Sequence, residues 1–150
     1  MHPFEGLAGQ AAWAGKNTAY NLQFIPEEKL AWKPAPTANS ALEIINHVAG
    51  FTLGMTKVLQ GETWSDPQFA PATNLREAQD LITSAADGYA AALRQVPVER
   101  LAETVHLSWA PFPMVRAAAM PVVDLIHHHG QIAYIQALLG DPEMHFFEEV

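Results

Sequence analysis

The chain has 150 residues, 49% of them hydrophobic and 16% charged, and no cysteine. That size and balance fit a single folded domain over residues 1–150 and exclude a disordered chain; the missing thiols exclude disulfide frameworks, thiolate zinc sites and cysteine nucleophiles. Sixteen acidic against eight dispersed basic residues give a net charge of −8, which excludes an electrostatic footprint for nucleic acid or for an anionic membrane.

The first predicted helix runs from Phe4 to Gln23. Phe4, Leu7, Ala8 and Ala11 recur at helical spacing, and Gln10, Asn17 and Asn21 break the apolar face. Ile25 to Leu30 reads as a short helical turn with Pro26 at its first position, and Trp32-Lys33-Pro34-Ala35-Pro36 as extended chain, since each proline restricts the residue before it. The second helix has the clearest start. Ser40 and Glu43 form a capping box, and the helix continues to Gln60, where Gly61 ends it. Ile44, Val48, Phe51, Met55 and Val58 make its apolar stripe, with His47 beside it.

Trp64 to Pro71 is a proline-containing loop. A third helix opens near Asn74, carries Ala78, Leu81, Ile82, Ala85, Tyr89 and Leu93, and stops at Pro97. Residues 101–112 connect it to the next helix, and Val105-His106-Leu107 is suited to a brief extended piece. The fourth helix begins near Pro113 and ends at Leu139-Gly140, before Asp141-Pro142. Pro121 inside it marks either a kink or a late start. The tail His145 to Val150 packs across a bundle end or lies at a dimer contact; Glu148-Glu149, like Glu27-Glu28, reads as solvated charge. Long helices without alternating strand runs predict an all-α four-helix bundle.

The chemistry concentrates on helix 4, in Asp124-Leu125-Ile126-His127-His128-His129-Gly130-Gln131. Asp124 and His128, four apart, stack on one helical face and can chelate one ion. A third ligand from a facing helix completes a bundle metal site, and His47, an imidazole among apolar residues, is the candidate. The competing reading is a solvated ion pair and a satisfied histidine. Three consecutive histidines point in three directions, so His127 rivals His128 as the ligand, and His129 is expected to face solvent or a subunit contact. Gln131, one turn past His128, is placed to orient a ligand or water, and Tyr20, Asn21 and Trp13 on helix 1 are candidates for the pocket mouth, each against a plain packing role. His2, His106 and His145 are set aside as terminal or exposed.

Two segments carry a family resemblance. One is Leu30-Ala31-Trp32-Lys33-Pro34 followed by Ser40 to Ala49 with His47; the other is His128-His129-Gly130-Gln131 followed by Leu138-Leu139-Gly140. In this order and separation they resemble the DinB-like (DNA-damage-inducible) superfamily of metalloenzymes, over nearly the whole chain. The resemblance implies a DinB/YfiT-like bundle with a divalent metal (zinc, nickel, iron or manganese). It also implies hydrolase or thiol S-transferase activity on a small-molecule substrate with a low-molecular-weight thiol, and a homodimer. The family's helix-4 pattern has a histidine where this chain has Asp124. Aspartate is a competent ligand, so the site reads as two histidines and one carboxylate. The alternative is a bundle with a decayed site that serves as a binding or structural protein. With no basic-then-apolar leader pattern, and no apolar run near the ~20 residues of a membrane span, the expected location is the cytoplasm.

Overall fold

The computed structural model describes residues 1–147; the expected solvated pair Glu148-Glu149, with Val150, lies outside the described residues. Apolar periodicity resolves into four helices: α1 (Glu5–Leu22), α2 (Ala41–Leu59), α3 (Leu75–Gln95) and α4 (Met114–Leu138). Two short 3-10 turns, Glu27–Lys29 and Val98–Ala102, lie in the connections. A small hairpin of β1 (Thr104–His106) and β2 (Pro111–Pro113) precedes α4, with Val105 paired to Phe112. The expected extended piece is therefore one arm of an antiparallel pair. Both α3 and α4 pack against both α1 and α2, so the order around the bundle is α1, α3, α2, α4. This is an all-α fold, and no described helix is long and apolar enough to cross a membrane.

Local chemistry sets the helix ends. Ser40 Oγ accepts from Glu43 N while a Glu43 carboxylate oxygen accepts from Ser40 N at 2.8 Å, the reciprocal capping box expected at α2. Asn74 accepts from Glu77 N to start α3. Gly61 (φ 99°) and Gly140 (φ 105°) take the left-handed conformation just past α2 and α4, where a side chain would be strained. At Gly15 of α1 the need is for space. A Cβ there would stand 2.3 Å from the Cβ of Ala86 on α3, so glycine is what lets these two helices meet.

The core is built from Ile45, Met55, Ile82, Leu93, Leu125 and Ile132, with Tyr89 fully buried among them. Pro121 neither breaks nor delays α4, which is helical from Met114 through Leu138. Proline has no N–H for the carbonyl four residues back, so the turn before it is short of a donor. The Tyr89 hydroxyl donates at 2.7 Å to the Ala118 carbonyl, one residue past the Ala117 carbonyl that proline leaves without its helical donor.

Two expectations for polar groups change. Asn17 and Asn21 were expected to interrupt the apolar face, yet both are buried. Their amides hold the tail: Phe147 N donates to Asn17 Oδ1 and Asn21 Nδ2 to the His145 carbonyl, each at 2.9 Å. Phe146 stacks on Trp13 and Phe147 meets Tyr20 edge-on, so the tail lies along α1. His129 does not face solvent. It is half-buried against α1, its Nε2 donates to Asn21 Oδ1, and burial pushes its pKa down.

Candidate metal centre

His47 on α2 and Asp124 and His128 on α4 converge, each offering one ligand-type atom within 4.8 Å of the other two. Several local features put them there. The capping box starts α2, and Lys33 Nζ pairs with the capping Glu43 at 2.7 Å. Beside His47, Asn46 holds the loop before α3 with two bonds, accepting from Ala72 N at 2.8 Å and donating to the Ala72 carbonyl at 3.1 Å. On α4, helical spacing stacks Asp124 under His128. Ile44, before His47, shares a cavity with Gln131 and Ile135, after His128, so α2 and α4 run antiparallel.

The electrostatics of the trio are unusual. His128 is buried, and its Nε2 lies 3.3 Å from Asp124 Oδ1. Its Nδ1 is 2.6 Å from Gln131 Oε1. A carbonyl oxygen only accepts, so Nδ1 carries the proton and Nε2 of the neutral ring presents a lone pair to the carboxylate. Two lone pairs facing each other repel unless a cation lies between them. A proton is one such cation: the Asp124 bond raises the His128 pKa against the opposing effect of burial, and Gln131 adds to the rise. The other Asp124 oxygen, Oδ2, is buried and receives no hydrogen bond from any described group. A buried carboxylate oxygen with no donor is costly, and a metal ion removes that cost.

His47 differs from its expectation. It is exposed, so burial does not demand a partner for it, and its ring sits edge-on to His128 with centroids 5.1 Å apart. The set is thus closed on the α4 side and open on the α2 side, a form that leaves room for a further ligand.

The remaining candidates separate. Gln131 links the two histidines before it, accepting from His128 and donating through Nε2 to His127 Nε2 at 3.2 Å. His127 is exposed and turned to the neighbouring cavity, while His128 takes the inward position. Tyr20 lies elsewhere, on α1 with its ring against Phe24 and Phe147. Trp13 is likewise occupied, between His129 and Phe146. Helical spacing carries both rings to the tail side of α1.

Beside the trio, a cavity of about 530 Å³ opens between residues 34–39, α2 and α4. Pro34, Asn39, Ile44, Gln131, Tyr134 and Ile135 are among its walls. Sequence reasoning missed Asn39 and Tyr134. Tyr134 was accessible through its spacing, three residues past Gln131; Asn39 became a wall only once its loop folded beside α4.

Known proteins share this fold. A crystal structure of a DinB-like protein of Bacillus subtilis, YjoA, superposes with a TM-score of 0.77 and 19% identity, covering 96% of this chain and 98% of that one, a likeness of fold. No curated protein sequence matches the chain. A family model described as DinB superfamily matches residues 10–132, a span that holds His47, Asp124 and His128. On that match, over most of its length, the chain belongs to the DinB superfamily.

Proposed function

We propose that this protein binds one divalent metal through His47, Asp124 and His128 and is a metal-dependent hydrolase or thiol S-transferase acting on a small molecule. The observation that carries the reading is the Asp124 carboxylate, with one oxygen against a histidine lone pair and the other buried without a donor. The metal-binding members of the superfamily support it. Two imidazoles and a carboxylate suit zinc, nickel, iron or manganese.

A metal held by three protein ligands supplies Lewis acidity and lowers the pKa of a coordinated water or thiol. The chain's own groups prepare the place. Gln131 holds His128 in the tautomer with Nε2 free, the usual task of a partner behind a ligating histidine. His127 stands at the cavity wall with its Nε2 engaged by Gln131. The cavity volume lies within the roughly 300–1,000 Å³ usual for small-molecule sites. A thiol substrate would have to come from outside, since the chain has no cysteine.

Metal analysis tests the reading. Purified protein loaded with zinc, nickel, manganese or iron(II) and then desalted is expected to retain about one equivalent of at least one of them. His47→Ala and Asp124→Ala should lose it, along with the thermal stabilisation that ligand binding confers. Equal metal content in all three proteins would overturn the proposal.

We propose a homodimer and a cytoplasmic location on the same footing. Val115, Val123 and Ile126 fall on one outward face of α4, each 44% exposed or more. Sedimentation should show a dimer that Val123→Glu with Ile126→Glu converts to monomer; a wild-type monomer at high concentration would remove the claim.

A further inference from the structure

We propose that the cavity beside the candidate metal centre selects an uncharged substrate group with an apolar body and hydrogen-bonding ends, and rejects anions. The inference rests on the reading of that centre as a working site and names the class of molecule the site takes. Among the described residues no lysine, arginine, aspartate or glutamate lines the cavity. Ile44 and Ile135 give it apolar walls, Asn39, Gln131 and Tyr134 give it neutral polar groups, and His127, its Nε2 engaged by Gln131, adds an imidazole.

The places where an anion could find compensation are already taken. Residues 37–39 lead into the N-terminus of α2, whose amides carry partial positive charge. Three of those amides are committed: Ser40 N donates to Glu43 Oε2 at 2.8 Å, Leu42 N to the Leu30 carbonyl at 3.1 Å and Glu43 N to Ser40 Oγ at 3.3 Å. The Glu43 carboxylate further offsets the helix end. Lys33, next in sequence to the wall residue Pro34, is held by that same carboxylate at 2.7 Å. A carboxylate or phosphate seated in the cavity would shed water and meet no lysine or arginine, inside a protein of net charge −8; the ligands of the candidate centre lie outside its lining, and the wall imidazole His127 is engaged by Gln131. A cation gains no lining carboxylate either: Asp124 faces His128, and Glu43 is engaged by Ser40 N and Lys33.

The test uses one ring with three charges. The 15N-labelled full chain is titrated with benzamide, benzoate and benzylammonium at neutral pH and physiological ionic strength. Benzamide should shift the amide resonances of Ala38, Gly130 and Tyr134 and bind about tenfold more tightly than either ion. Tyr134→Arg, at an exposed position, should bring benzoate to at least the affinity of benzamide. Gly130→Phe, where an added side chain meets open space, should abolish all three responses. A wild type that binds benzoate or benzylammonium as well as benzamide, or shows no shift at these amides with any probe, overturns the proposal. Metal uptake is measured separately on the same preparation. Absent metal uptake with selective benzamide binding would therefore defeat the metal reading alone, and metal uptake with a charge-blind cavity would defeat this one alone.

Discussion

At the scale of single residues, the Asp124–His128 couple sets a pH dependence whose sign can be worked out. The His128 pKa is raised in the folded protein above its ordinary value of about 6.5. The couple therefore stabilises the metal-free protein fully below that ordinary value and loses its effect as pH rises through the folded one. Asp124→Asn should destabilise the metal-free protein in mild acid and progressively less toward alkaline pH, as read from denaturation midpoints. In an NMR titration the His128 ring should titrate lower in the variant; an unchanged midpoint would contradict the pairing. Protons and metal compete for the same atoms, so metal retention should fall as pH drops through the His128 pKa. Helical spacing made the Asp124–His128 pair legible in the sequence, and the motif resemblance pointed to His47. The roles of His127 and His129 were not legible, because three adjacent histidines differ only in what each meets across the bundle. For His129 that is Asn21, over a hundred residues earlier in the chain.

At the scale of elements, the same long-range effect governs α1 and the tail. A polar residue on an apolar stripe looks like an interruption until its partner is known. Asn21 donates to the His145 carbonyl and accepts from His129, so Asn21→Ala strands two partly enclosed groups. It should cost about 1–3 kcal/mol in chemical denaturation. Tail release should accompany it, read as faster hydrogen exchange at Phe147 N. Capping chemistry is local, so the starts of α2 and α3 were readable to the residue. Pro121 was ambiguous for the opposite reason, since what packs against its turn, Tyr89 included, belongs to other helices. The α1–α3 contact is equally unforgiving. Gly15→Ala should destabilise by about 1–3 kcal/mol through overpacking against Ala86. Gly88→Ala, in α3 with open space around it, should instead stabilise by about 1 kcal/mol. A stable Gly15→Ala protein would show that the two helices can part without penalty.

At the scale of the whole molecule, charge and packing divide the labour. An excess of eight negative charges argues against a DNA partner, and a fluorescent duplex should show no anisotropy change at physiological ionic strength. The buried phenol at the centre of the bundle has a separate outcome in strong base. Burial pushes the Tyr89 pKa far up, so the ring ionises only when water reaches it. Because the unfolded chain gives up that proton more readily, stability must fall as pH climbs above the ordinary phenol value. Difference absorbance near the tyrosinate band should then contain a late step that coincides with the collapse of far-ultraviolet ellipticity, and Tyr89→Phe should delete that step. The protein thus carries its own optical indicator of alkaline melting.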